Sequence, residues 1–399
     1  MSTVRPRLIA QRSAWTTGLG TTLAFGNWGA LPWMIGAWIE GAGFTAEQAG
    51  FLAATELTVM SISMFALAPI IPRIDRRGLV LMALPVILAA QVASAYIYEY
   101  RLLLVLRVLS GMAFGAIFST GTAEGAESRE PDRAFAFATI VAMCCGVLKT
   151  PMLGYAKELF GLRGVFLSLT VYYLAIGTPL IVLLWLGVPG RRAGMVRSES
   201  RPLAPLRWGP TIGMLLVMAG FSIATGGVFA FVERVAHSIG ISSSLLGRGF
   251  SGAALIGTLG GLSAERLGIK LGRALPTLAG MGALGLLSWC VMNSSHQANF
   301  WLSYVVWVVI HWFTYAYIMG LSAMVDSSGR IATLTSSTYI LTGAAGAALA
   351  GVFTQRFGVA SYGWMAFATC LFAATVAAGM LGWPGHLGLR ANTAGREAS

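Results

Sequence analysis

Apolar residues in this chain neither alternate nor keep to one helical face. They run for about 20 positions at a time between short charged or glycine-bearing turns. A helix rising about 1.5 Å per residue needs about 20 such residues to cross roughly 30 Å of hydrocarbon. Twelve stretches qualify, at 14–38, 48–71, 79–98, 102–123, 134–156 and 164–187, then 209–232, 241–263, 273–293, 299–323, 331–354 and 362–383. The pattern predicts an all-α membrane protein with twelve transmembrane helices in two six-helix halves, residues 1–187 and 209–399. Residues 188–208, rich in Pro, Gly, Ser and Arg, read as a linker, and the polar stretch after Pro384 as a tail. Arg5, Arg7 and Arg12 before the first apolar run imitate a signal peptide, but that run is long and many more follow, so it reads as an uncleaved span.

Composition agrees. Hydrophobic residues make up 56% and charged residues 11% of the 399, against about a quarter charged in a soluble protein. Mean hydropathy is +0.73. The net charge of +12 does not point to nucleic acid, because the basic residues gather in the loops of one membrane face. The other face takes only Arg101, Lys157, Arg163, Arg234 and Arg356, while Arg107, Lys149 and Arg248 fall inside spans. That asymmetry predicts a cytoplasmic linker and cytoplasmic termini, with the bacterial inner membrane as the setting. Cys144, Cys145, Cys290 and Cys370 lie in apolar runs without ligand spacing, so no disulfide framework or metal site is expected.

The charged turns repeat. Gly261-Leu262-Ser263-Ala264-Glu265-Arg266-Leu267-Gly268-Ile269-Lys270 follows span eight, and Asp75-Arg76-Arg77-Gly78 follows span two, with acid, arginine and glycine equally spaced. They lie close to half a chain apart, as in a duplicated membrane half. With twelve spans and a basic linker, these turns resemble the signature of the major facilitator superfamily. The second copy keeps Gly261, Glu265, Arg266, Gly268 and Lys270, while the first has Ile71 in the glycine position and Leu79 in a basic one. Arg107-Val108-Leu109-Ser110-Gly111 is similar to the family's arginine motif of span four. The run from Gly146 to Gly154 resembles its antiporter motif in span five, keeping Gly146, Pro151 and Gly154. The resemblance implies a twelve-helix transporter, with Asp75, Arg76, Gly78, Gly261, Glu265, Arg266 and Gly268 at the gating turns. Gly146, Pro151 and Gly154 would be conformational positions.

Charge inside a membrane needs a reason, because it costs about 2.5–3.5 kcal/mol or more at the bilayer centre. Glu56, Arg107, Lys149 and Arg248 all fall roughly 10–13 Å below the same membrane face at 1.5 Å per residue. Two readings stand. In the structural one, Glu56 pairs with Arg107, and Glu233 at the end of span seven pairs with Arg248. In the functional one, Lys149 and Arg107 bind an anionic group, and Glu56 with Arg107 couples the cycle to protons. Lys149 has no acid near it in the sequence and is expected to face the cavity.

Tyr304, Trp307, His311 and Tyr315 follow steps of three and four and share one face of span ten. The resemblance implies that spans one, four, seven and ten line the central cavity. On that basis Asn27, Trp28, Phe229 and Tyr339 join these four as candidate substrate contacts. Gly247-Arg248-Gly249-Phe250-Ser251-Gly252 matches a dinucleotide fingerprint but lies within a span, so it is set aside. Neither a Walker A loop nor a nucleophile-base pattern is present. The sequence therefore predicts a non-enzymatic, cofactor-free secondary transporter, monomeric and proton-coupled, whose partners are protons, lipid and a small organic anion such as a carboxylate. The alternative is a proton-antiporting efflux pump for hydrophobic drugs.

Overall fold

The computed structural model describes residues 4–186 except 69, 129 and 130, and residues 208–382 except 269 and 326–329. Apart from Trp208, the expected linker 188–208 lies outside the described residues, as does the tail after Pro384. Helices α1 (Val4–Trp28), α2 (Leu31–Ala42), α3 (Ala46–Leu67), α4 (Arg76–Ser94), α5 (Tyr100–Ala126) and α6 (Pro131–Trp185) precede the linker. Helices α7 (Trp208–Ser238), α8 (Ser243–Leu267), α9 (Ala274–Met292), α10 (Gln297–Val325), α11 (Arg330–Phe357) and α12 (Ser361–Gly382) follow it. Nine of these, α3 to α7 and α9 to α12, are long and apolar enough among the described residues to cross a membrane.

The expected spans map onto the helices with two differences. Span one is broken into α1 and α2, because Pro32 opens α2 and brings no N–H to continue the ladder. Spans five and six join in α6, interrupted where Gly161 takes φ 57°, ψ −137°. Large apolar side chains such as Met82, Leu148, Val171, Leu302 and Trp364 stay exposed on the outside. A water-soluble chain would hide a surface so apolar, and lipid covers it here.

Helices α1 to α6 pack on one another, with α1 against α5 and α6, and with α3 and α4 against α5. Helices α7 to α12 form a second set, α7 against α11 and α12, α10 against α8 and α9. The most extensive contacts between the sets are those of α3 with α11, α6 with α8, and α2 with α7. Both sets carry the same turn at one end of the bundle. Gly43 (φ 72°) ends α2 and Thr45 caps α3 in a capping box with Gln48. Gly240 (φ 79°) follows α7 and Ser242 caps α8, its hydroxyl accepting from the Leu245 amide. At the opposite end the Asp75 carboxylate caps α4 by accepting from the amides of Arg77 and Gly78. These are called the Gly43 end and the Asp75 end below.

Small residues set the helix spacing. A Cβ on Gly111 would lie 2.5 Å from the Glu56 carbonyl oxygen, and one on Gly115 2.6 Å from that of Met60. So α5 crosses α3 backbone to backbone, as small-xxx-small seams allow. Gly111→Val should lower the unfolding temperature in detergent by forcing this crossing apart, an overpacking cost of about 1–3 kcal/mol. Gly146→Ala, whose Cβ meets nothing within 4 Å, should leave it unchanged. Equal melting curves for both variants would contradict the close crossing.

Candidate functional site

The break in span one directs three consecutive residues to three places. The Ala30 amide donates to Asn27 (3.0 Å) and not to Gly26, so the Gly26 carbonyl loses its helical partner. The ammonium of Lys149, from α6, donates to that carbonyl at 2.6 Å. Asn27 Nδ2 donates to Glu56 Oε2 at 2.8 Å. Trp28 stacks on Tyr339 of α11, ring centroids 5.6 Å apart and planes 20° apart, so it reaches across to the second helix set.

Lys149 is 3% exposed. Its Nζ sits 5.5 Å from the centre of the Tyr172 ring, and Gly29 makes room for it, since a Cβ there would lie 2.8 Å from Nζ. Among the described residues no carboxylate forms a salt bridge with it. Separately, Tyr339 is the centre of an aromatic cluster. Its hydroxyl lies 3.3 Å from His311 Nε2, its ring 5.2 Å from Tyr315, and Phe221 lies 5.0 Å from the His311 ring. Ser222 donates to the Tyr339 carbonyl. His311 Nδ1 is buried with no hydrogen-bond partner, while Trp28, Tyr315 and Tyr339 remain half-buried.

Glu56 and Arg107 belong elsewhere. Both are fully buried within the first set. Arg107 Nη1 donates to both Glu56 oxygens (3.1 and 3.0 Å), and Nη2 to Ser94 Oγ (2.6 Å). Ser110 also donates to Glu56. The guanidinium lies over the rings of Trp38 (5.7 Å) and Phe166 (5.8 Å). Every bond of this network stays among α1, α3, α4 and α5. Arg107 does not join Lys149, and Asn27 turns to the network, away from the aromatic cluster.

The span-ten stripe divides. His311 and Tyr315 enter the aromatic cluster. Tyr304 instead stacks on Phe250 (4.6 Å), and Trp307 Nε1 donates to Ser288 Oγ (2.9 Å). Phe229 also packs on Phe250, at 6.1 Å. All three belong to the packing of the second set: α8 and α9 cover Tyr304 and Trp307 on α10, and Phe229 packs from α7 onto α8. Of the gating turns, Arg76 bonds Glu124 (3.0 Å) and Glu127 of α5, while Glu265 and Arg266 are exposed on the last turn of α8 and Gly268 (φ 50°) ends it. Gly146 faces open space, whereas Gly154 meets the Ser243 carbonyl and lets α6 cross α8, with Pro151 in the same contact.

The expected pairing of Glu233 with Arg248 is corrected. Arg248 is exposed and lies over the Tyr155 ring (5.7 Å). Glu233 is buried and takes Lys157 at 2.9 Å. Lys157 also meets Glu40 at 3.0 Å. Glu40 in turn meets Arg234 (2.8 Å) and His237 Nδ1 (3.1 Å). The turn at Gly161 places Lys157 inward beneath the Gly43 end, which a loop-by-loop count of charges does not reveal. The one sequence signal was Glu233 and His237, four apart at the end of span seven.

A family model described as Major Facilitator Superfamily matches residues 17–330. No curated protein matches the chain. Among solved structures, the crystal structure of nucleoside transporter NupG is similar in fold, with a TM-score of 0.66 and 10% sequence identity, covering 94% of this chain and 98% of that one.

Removing one partner of a buried ion pair leaves an uncompensated charge, at about 3–5 kcal/mol. Glu56→Gln and Arg107→Gln should each lower the unfolding temperature sharply. The double variant should recover much of the loss, since its remaining groups are neutral. Additive losses in the double variant would contradict a closed pair.

Proposed function

The chain belongs to the Major Facilitator Superfamily, and from that premise we propose a secondary active transporter for a small planar organic anion, such as an aromatic carboxylate. The observation that carries the substrate class is Lys149, a buried amine that donates to the carbonyl of Gly26, two residues before Trp28 of the Trp28–Tyr339 stack. A buried cation without a counter-ion is costly, and a bound carboxylate supplies that counter-ion. The aromatic planes add stacking for a flat body, worth about 0.5–1.5 kcal/mol per pair beyond burial. Tyr339 and His311 offer polar atoms at the cluster's edge.

In this reading the two helix sets, 1–187 and 209–399, are the moving bodies and 188–208 connects them. The protein works as a monomer in a bacterial inner membrane, with the Asp75 end and both termini cytoplasmic. The positive-inside distribution of Arg and Lys supports that orientation. Trp28 reaches from one set to Tyr339 of the other, so a solute bound there touches both bodies and favours one arrangement over another, as alternating access requires. Proton coupling is part of the proposal. Glu56 is held by Arg107, Ser110 and Asn27 inside one helix set, which argues against Glu56 as the group that responds to substrate.

Two other solute classes use the same rings differently. A nucleoside, the solute named for NupG, would stack but leave Lys149 without a counter-ion. A cationic drug would be repelled by it. The discriminating measurement is a thermal-shift screen of purified protein with benzoate, uridine and a cationic amphiphile. A ligand that binds only the folded state stabilises it by mass action, by about 2.7 kcal/mol at a hundredfold excess over Kd, and so raises the unfolding temperature. Benzoate should stabilise the wild type, Lys149→Ala should abolish the shift, and Trp28→Ala should weaken it about tenfold or more. Stabilisation by uridine or the amphiphile that survives Lys149→Ala would overturn the anion reading.

A further inference from the structure

The ionic cluster at the Gly43 end is the remaining concentration of buried charge, and it straddles the two helix sets. Glu40 on α2 and Lys157 on α6 come from the first set; Glu233, Arg234 and His237 on α7 and Ser243 on α8 come from the second. Lys157 Nζ binds Glu233 Oε1 at 2.9 Å and Glu40 Oε2 at 3.0 Å. Ser243 Oγ donates to Glu233 Oε1 at 3.3 Å, and His237 Nε2 lies 2.9 Å from Ser243 Oγ and 3.7 Å from Glu233 Oε1. Gly36 of α2 makes the site possible, because a Cβ there would collide with both Glu233 and Lys157. Around it the sets are tied by Gln355 accepting from the Ala46 amide (3.1 Å), the Ser244 amide donating to Glu158 (3.0 Å) and Thr150 against Ser251 (2.8 Å). At the opposite end, Arg76 and Arg273 bond within their own sets.

Separation of the sets at this end divides the cluster unevenly. Lys157 keeps Glu40, its neighbour in the first set, as a counter-ion. Glu233 keeps only Ser243, His237 and the outward-directed Arg234, and loses the ammonium that holds its charge. A carboxylate buried without a cation is neutralised by taking up a proton. Its Oε2 is buried without a hydrogen-bond partner, so one oxygen is free to carry that proton.

Resting on the alternating-access reading above, we propose that Glu233 is the proton-exchanging residue of this carrier. It holds Lys157 as a carboxylate while the Gly43 end is closed, and it binds a proton as that end opens. The proton comes from water on the opened side, and the Glu233–Lys157 ion pair is exchanged for a neutral carboxylic acid and a Lys157–Glu40 pair. Glu40 does not compete for the proton. It lies beyond the expected end of span one, and although burial pushes its carboxyl up, the hydrogen bond from His237 and the charge of Lys157 outweigh this and hold it at about 2. Because this value lies below the ordinary 4.5, Glu40's contribution to closure is complete above about 4.5. It is lost only as pH falls through about 2, outside the range tested below.

The test is the distance between spin labels at Tyr98 and Ser295, exposed positions at the Gly43 end of the two sets. The full chain is used in lipid nanodiscs between pH 5 and 9, with its four native cysteines replaced. The wild type should pass from a short distance at high pH to a growing long-distance population at low pH. Glu233→Gln should show the long population at every pH. Lys157→Gln, which leaves Glu233 in place, should move the transition upward by roughly one to three pH units, the effect of removing an adjacent cation. His237→Gln should keep the transition.

A pH response that persists in Glu233→Gln, or that disappears only in His237→Gln, overturns the assignment. So does a pair of populations whose ratio ignores pH, although the two-body motion then stands. A single distance in the wild type and in Lys157→Gln at every pH would remove the motion itself, and the transport mechanism with it.

Discussion

The interaction on which the rest depends is the one the chain fails to make at Pro32. Pro32 has no N–H for the Trp28 carbonyl, so span one breaks there, and just before the break the Ala30 amide donates to Asn27 rather than to Gly26. In lipid, a carbonyl released from its helix must find another donor, since no water is at hand. Lys149 supplies one to Gly26. The same interruption turns Asn27 to the Glu56 network and Trp28 to Tyr339. The change in backbone pairing at the break thus leaves the amine its acceptor.

The buried charges fall into three arrangements that differ in permanence. Glu56 and Arg107 are bound among helices of one set, with Ser94, Ser110 and Asn27 adding hydrogen bonds. Nothing that moves one set against the other disturbs them. Glu233 and Lys157 face each other across the boundary between the sets, so their pairing depends on how the bodies lie. Lys149 has a dipole and no acid. A fixed pair stabilises a body, and a divided pair depends on how the two bodies lie.

How much of this was legible in the sequence follows from what each signal measures. Run length and hydropathy report solvent, so the spans, the two sets and the lipid-facing surface were readable. Charge depth singled out Glu56, Arg107 and Lys149, and the absence of any acid near Lys149 in the chain agrees with its carbonyl contact. The structure separates residues that one helical face had joined: Tyr304 and Trp307 are covered by α8 and α9, while His311 and Tyr315 are not. Periodicity gives a direction from the helix axis, not what stands in that direction. The Gly43-end cluster was hidden for a related reason. Lys157 and Glu233 are 76 residues apart, and counting Lys157 as a loop charge assumed that a residue near a span's end points to water. The turn at Gly161 and the missing side chain at Gly36 bring it inward.

The glycines connect these arrangements to movement. Gly154 brings α6 against the start of α8, and a Cβ on Gly50 would lie 2.8 Å from the Ala347 carbonyl oxygen, so α3 meets α11 equally closely. Contacts of backbone on backbone hold by shape and dispersion, and across the same boundary Trp28 stacks on Tyr339 and Trp33 packs on Phe250. The directional bonds across the seam are few and gather near the Gly43 end, where Glu40, Lys157 and Glu233 lie. Opening there therefore costs chiefly the separation of charge. That cost falls on Glu233, since Lys157 retains Glu40 and Glu233 retains no buried cation. An interface built from smooth glycine contacts and a single buried ionic cluster concentrates its resistance to opening in one titratable group.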